Sequence, residues 1–182
     1  MHSEQIALIL KASNFAATKH RNQRRRDKEA SPYINHPIAV SNLLCVSGIT
    51  DPTVIVVALL HDTVEDTDAT FEEIEQEFGA EVRSLVQELT DDTSLPKQKQ
   101  KQLQVEHAPH LSERAKLVKF ADKISNLREM IVSPPPDWSQ ERKREYFEWG
   151  KQVIDRIRGT HQGLETIFDQ VYQQGIAIYG LQ

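Results

Sequence analysis

Apolar positions recur at helical spacing in nearly every segment of this chain, and no alternating strand pattern of useful length interrupts them. Residues ~4–20 read as a first helix that runs into a basic stretch. Pro37 opens a second helix, ending near Gly48, because proline suits a first helical turn. Asp51-Pro52 supplies a cap and first-turn pair for a third, whose run Val54-Ile55-Val56-Val57-Ala58-Leu59-Leu60 is apolar throughout. Thr70 with Glu73 forms a capping box for a short helix ending at Gly79, and residues ~80–90 form another before Leu95-Pro96 turns the chain. Pro109 blocks an early start, so the next helix begins near Ser112 and carries Leu117, Ala121, Ile124 and Leu127 on one face. Ser133-Pro134-Pro135-Pro136 is a stiff loop and not a domain linker, since Tyr146, Phe147, Gly150, Val153, Ile154 and Ile157 resume the helical period at once. A last helix, ~163–174, closes a single domain spanning residues 1–182. The expected fold is all-α, a compact helical bundle with a metal site between helices.

The apolar third helix is steered directly into His61-Asp62 and, four residues on, Glu65-Asp66. Burying four titratable groups is costly unless something pairs with them, and a divalent cation is a natural partner for an imidazole beside a carboxylate. At ~100° per residue the four fall within an arc of roughly 140°, with His61 over Glu65 and Asp62 over Asp66. One pair can hold a metal while the other faces a bound substrate. Two further helices offer ligands: His36 at a helix start, and Asp122 set in the apolar stripe of Lys116–Lys123. Taken singly, His36 and Asp122 read as a cap histidine and a lysine-paired carboxylate. Together, His36, His61, Asp62 and Asp122 make a two-His, two-Asp set. Such ligation without thiolates suits Mn²⁺, Fe²⁺, Co²⁺ or Zn²⁺. His107 and His110 are separated by Pro109, and His2, His20 and His161 lack acidic companions, so these five are expected to be structural or solvent-facing.

The order H…HD…D resembles the HD-domain metal phosphohydrolases. Longer strings narrow the resemblance: His20-Arg21-Asn22-Gln23-Arg24-Arg25, Tyr33-Ile34-Asn35-His36-Pro37, the stretch from Ala58 to Thr67, and the stretch from Lys116 to Lys123 are similar to the hydrolase domain of RelA/SpoT enzymes. The short chain and Tyr146-Phe147-Glu148-Trp149 resemble the stand-alone small alarmone hydrolases. That resemblance implies a Mn²⁺-dependent enzyme removing pyrophosphate from the 3′ position of guanosine tetra- or pentaphosphate. It also implies two alternative activities, on the adenosine analogue and on the 2′-phosphate of NADPH. It makes Glu65 and Asp66 catalytic, whereas the residues alone leave them equally suited to orienting His61 and Asp62. It raises Asn126 as a ribose contact and Tyr146 as a stacking surface. Lys97 and Arg142 are candidate phosphate contacts that otherwise read as surface charges. Arg26 and Thr93 depart from the family pattern, in stretches that bear on substrate preference and not on the metal set. The class-level alternative is an inactive nucleotide-binding module, against which the intact His36, His61, Asp62, Glu65, Asp66 and Asp122 speak. No synthetase or regulatory segment is recognisable, so alarmone synthesis is not expected.

Charge sharpens the picture. The formal net charge of −5 argues against a general nucleic-acid binder. Yet Lys19, Arg21, Arg24, Arg25, Arg26 and Lys28 crowd into ten residues just before His36. A solvated run is the usual meaning of such a cluster; beside His36 it reads instead as an anion site for a compact polyphosphate, with Arg25 and Arg26 nearest. The partner expected is therefore a small-molecule nucleotide, with neither nucleic acid nor membrane. Nothing reaches the ~20 apolar residues of a membrane span, no secretory pattern precedes the first helix, and the sequence carries no signal for an oligomer. The single cysteine, Cys45, reads as a small core residue, suits a reducing cytosol, and makes the cytoplasm the expected compartment.

Overall fold

The computed structural model describes residues 3–180; His2 lies outside that span. Helix α1 (Ser3–Lys19) leads through the basic stretch, where an isolated antiparallel bridge joins Arg24 to Pro32, into α2 (Asn35–Val46). Helix α3 (Pro52–Leu60) follows, then α4 (Thr63–Asp66), α5 (Phe71–Phe78) and α6 (Ala80–Leu89). Helix α7 (Lys97–His107) ends in a 3₁₀ turn at Ala108–His110, and α8 (Glu113–Val132), α9 (Gln140–Asp155) and α10 (Gln162–Tyr179) complete the described chain. The starts are capped as the side chains allow. Asp51, Thr70, Ser112 and Ser139 accept from backbone N–H groups two or three residues on, and His161 does the same for α10 through Nδ1.

Helix α3 is buried on every side, Val54 through Leu60, and is surrounded by α1, α2, α6 and α8. A helix apolar all round belongs in the centre of a bundle. Helix α8 is the second axis, packed on α2, α3, α6, α9 and α10. Its buried stripe includes Phe120, Ile124 and Leu127, but also Lys119, Asp122 and Lys123. The C-terminal end of α3, the N-terminal turn of α2 and the middle of α8 therefore meet, and polar groups are concentrated there.

Several expectations are corrected. Helix α3 stops at Leu60; His61 and Asp62 form a tight turn, with Asp62 at ψ −5, before the single turn of α4. The four titratable groups therefore fan out from a corner instead of lining one helix. Helix α7 was not expected. Its sequence, Lys97-Gln98-Lys99-Gln100-Lys101-Gln102 onward, shows no apolar period, and Gln100 is its one buried residue. Lysine, glutamine and leucine are good helix formers, and a helix on a cleft rim needs no buried face. Helix α10 runs five residues past the expected end, because Tyr179 is buried and its hydroxyl donates to the Met130 carbonyl. Cys45 is exposed, not in the core; its helix buries Leu43 and Leu44 instead. Of the other histidines, His107 and His110 are exposed and His161 is a cap, while His20 is buried beside the site.

Gly175 of α10 allows a close approach to α9. A Cβ added there would sit 2.2 Å from the ring of the fully buried Phe147. Gly175→Ala is expected to cost about 1–3 kcal/mol through overpacking, despite alanine's better helix propensity. Chemical denaturation checks this; unchanged or raised stability would show that Phe147 yields freely.

Candidate metal centre and active-site cleft

His36, from the first turn of α2, and His61, from the corner after α3, face each other with ring centroids 5.4 Å apart. Between them come two carboxylates. Asp62 Oδ2 lies 3.3 Å from His61 Nε2 and 3.7 Å from His36 Nε2; Asp122 Oδ1 lies 3.2 Å from His36 Nε2 and 3.7 Å from His61 Nε2. Donor atoms of His36, His61 and Asp62 all fall within 4.8 Å of one another, a grouping that could hold a metal ion.

The surroundings orient these donors. His61 Nδ1–H donates to the Ala58 carbonyl at 2.8 Å, which leaves Nε2 as the lone-pair nitrogen of the neutral ring. That Nε2 is buried and makes no hydrogen bond, because neither carboxylate meets it in hydrogen-bond geometry. A buried, unsatisfied nitrogen between two carboxylates is what a cation-binding donor set leaves behind when described by protein atoms alone. The Tyr33 hydroxyl donates to Asp62 Oδ2 at 2.7 Å, and Asn126 Nδ2 donates to Asp122 Oδ1 at 2.6 Å. Burial and the Asp62 charge push the Tyr33 phenol well above its usual range, so it remains a donor.

Burial alone would push the His61 imidazolium down, but Asp62 and Asp122 outweigh it and raise it to about 9. Burial likewise opposes ionisation of both aspartates. The imidazoles, with Lys123 beside Asp122, overcome this and hold both carboxyls below their usual range. The cluster is thus built to keep two carboxylates charged beside a positive centre. A divalent cation would displace the His61 proton on binding.

Around this centre opens a cleft of about 970 Å³, within the size range of small-molecule sites. Every candidate from the sequence lines it: the four above together with Glu65, Asp66, Arg25, Arg26, Lys97, Asn126, Arg142 and Tyr146. Glu65 is half-buried, and its Oε2 accepts from the Asp91 N–H at 2.9 Å. Burial pushes its carboxyl up to about 7; the Asp91 N–H works against this, and the charges of Asp91, Asp62 and Asp66 add to it. Asp66 is exposed, with Oδ2 accepting from Gln23 Nε2 at 3.0 Å. Gln23 is held in turn by His20, which stacks on Tyr33.

The basic stretch divides. Arg24 turns back onto the carbonyls of Arg21 and Gln23. Arg25 reaches inward to Asn126 and Glu129 and lies over the Tyr33 ring, while Arg26 stays exposed at the cleft. Tyr146 stands between Trp138 and Trp149, with ring centroids 5.4 and 5.3 Å away, and Arg142 lies 4.1 Å over Trp138.

Sequence reasoning missed Lys101, Lys119 and Lys123, which line the same cleft. A signal existed for two of them. Lys119 and Lys123 share the helical face of Asp122 in an otherwise apolar stripe, where a charged side chain needs a reason. For Lys101 there was none, because α7 itself was not expected.

With this geometry in view, comparison with known proteins is direct. An HD-domain family model matches residues 12–148, and the chain belongs to the HD-domain family. It is 54% identical over 178 residues, 97% of this chain and 99% of the relative, to the Xenopus tropicalis protein named guanosine-3′,5′-bis(diphosphate) 3′-pyrophosphohydrolase MESH1. The human protein of that name is 54% identical over 93% of this chain and 96% of its own length. Similarity extends to a bacterial GTP pyrophosphokinase rsh from Brucella melitensis, 42% identical over 132 residues, though only 17% of that longer protein is covered. Among solved structures, one described as a metazoan ortholog of SpoT that hydrolyses ppGpp superposes with a TM-score of 0.90 at 51% identity, covering 92% of this chain and 95% of the other. No described helix is long and apolar enough to cross a membrane.

Proposed function

We propose that this protein hydrolyses guanosine 3′,5′-bis(diphosphate) and its pentaphosphate at the 3′ position. The products are pyrophosphate and GDP or GTP. A divalent ion, Mn²⁺ in our reading, is held by His36, His61, Asp62 and Asp122. The observation that carries this is the opening of a buried His/Asp cluster into a nucleotide-sized cleft walled by Arg25, Arg26, Lys97 and Arg142. Full-length similarity to proteins named for this reaction supports it. The setting we assign is the cytoplasm, where a lone thiol stays reduced.

The reaction joins a water oxygen to the 3′ phosphorus and breaks that phosphorus's bond to the ribose oxygen. One proton leaves the water, and one arrives on the ribose oxygen. The bound ion would supply Lewis acidity toward a phosphate oxygen and the water. Glu65, poised near neutrality with Oε2 engaged by Asp91, offers Oε1 to take the water's proton. Asp66, with Oδ2 held by Gln23, offers Oδ1 on the substrate side. Tyr33 and Asn126 fix the carboxylates of Asp62 and Asp122. Arg26 takes a phosphate, and Tyr146, packed on Trp138, takes the base.

The test is product analysis with Mn²⁺ on ppGpp, pppGpp, ppApp and NADPH. Pyrophosphate released from the guanosine substrates at the highest kcat/KM is the expected result; preferential phosphate release from NADPH would overturn it. In the same panel, Arg26→Gln is expected to raise KM about 10-fold and flatten its salt dependence, since the lost contact is a charge-assisted one. The variant with both Arg25→Gln and Arg26→Gln should lose more, because Arg25 also holds Asn126. Unchanged KM would return the arginine run to a solvated loop.

A further inference from the structure

Helix α8 turns one face to the cleft, and Lys119, Asp122, Lys123 and Asn126 stand on it at steps of three and four residues. Lys119 is only 8% exposed and Lys123 only 4%. Lys123 Nζ sits 3.2 Å from Asp122 Oδ2 and 4.1 Å from the Trp149 ring centroid. Lys101 reaches in from α7, 5.0 Å over the same ring. No acceptor or carboxylate among the described residues pairs with the Lys119 ammonium, although the charges of Asp122, Asp91 and Glu65 act on it. Glu145 acts on Lys101 in the same way.

The Lys123 charge acts against both Lys119 and Lys101, and Asp122 offsets only Lys123 directly. Burial first, then the Lys123 charge, pushes Lys119 below the usual lysine range, and burial with the charges of Arg142 and Lys123 does the same to Lys101. Such an arrangement is unfavourable unless an anion completes it. We propose that Lys119, Lys123 and Lys101 form the subsite for the diphosphate group that leaves, and so the binding site of product pyrophosphate.

Direction along α8 sets the assignment, which rests on the reading of the cleft given above. Asp122 marks the metal centre and the phosphate under attack. One turn on, about 5.4 Å further, Asn126 and Arg25 form the nucleoside side. Lys119 lies one turn back. Since the bond that breaks joins the nucleoside to the attacked phosphorus, the leaving diphosphate extends away from Asn126, toward Lys119 and Lys101. Lys119 and Lys123 supply four or more N–H donors to an anion that becomes more charged as it leaves.

The probe is inorganic pyrophosphate, tested as an inhibitor and by calorimetry on the Mn²⁺-loaded enzyme, with GDP as the comparison ligand. Lys119→Met removes a buried charge without a large change of volume, so the fold should hold. Pyrophosphate binding is expected to weaken about 10- to 100-fold, the scale of lost charge-assisted hydrogen bonds, with GDP binding and metal content unchanged. Lys101→Met, on a different helix, should weaken it in the same direction. Lys99→Met, exposed and outside the cleft, serves as the control. Unchanged pyrophosphate binding in both variants, or equal weakening toward pyrophosphate and GDP, would overturn the subsite. Failure of the wild type to hydrolyse ppGpp would overturn the reading of the reaction, while selective loss of pyrophosphate binding would still support a diphosphate subsite at these lysines.

Discussion

His61→Ala and Asp62→Asn are expected to abolish metal retention and to lower turnover on the order of 10³-fold or more. A metal's charge stabilisation is worth several kcal/mol, and each 1.36 kcal/mol is tenfold in rate. Asp62→Asn is the sharper variant, because its amide oxygen can still accept from the Tyr33 hydroxyl, so the corner after α3 keeps its hydrogen bond. His61→Ala removes the buried Nε2 that has no hydrogen-bond partner of its own. Metal analysis after gel filtration and thermal melts with and without chelator provide the readout. The wild type should lose about 2.7 kcal/mol on chelation if the ion had been present at 100 times its dissociation constant; the variants should be indifferent to chelator. Full metal content with normal turnover in either variant would remove the cluster from the mechanism.

Glu65→Gln is expected to leave metal content near normal and to lower kcat ~10²-fold or more, the scale of a lost general base. The pH profile carries the separation. The Glu65 carboxyl is pushed up to about 7, chiefly by burial. A base works when deprotonated, so wild-type activity should rise with pH through that value, and glutamine should erase this rise. For stability the sign is opposite. A carboxyl raised on folding favours the folded state below the folded value and loses that contribution as pH climbs through it. Glu65→Gln should therefore be at least as stable as the wild type above neutrality. Loss of metal with an unchanged rate per bound ion would make Glu65 part of the metal shell instead.

The hydrophobic period, the caps at Asp51 and Thr70, the start near Ser112, and the polar interruptions at His36, His61-Asp62 and Asp122 determined a helical bundle with its chemistry where polar groups break the apolar faces. These signals are local: a cap bonds two or three residues away, and an apolar run declares its own burial. The four metal-site residues, Glu65, Asp66 and the arginine pair stood out from the residues themselves, whereas Lys97, Arg142, Asn126 and Tyr146 read as surface or core until the resemblance to a hydrolase family raised the last two and supplied a substrate. Only the tertiary structure decided how they meet. The turn at His61–Asp62 sends Glu65 to the Asp91 N–H and Asp66 to Gln23, partners 26 and 43 residues away in sequence. Arg25 was one arginine of a run until α8 supplied Asn126 and Glu129, more than a hundred residues on. The polar helix α7 gave no period because it buries only Gln100, yet it brings Lys101 to the Trp149 ring. A lysine in a stripe says nothing of its counter-charges, which come from distant segments. What the Lys119 signal meant was decided by the packing of α8, which sets it in the cleft lining with no paired carboxylate among the described residues.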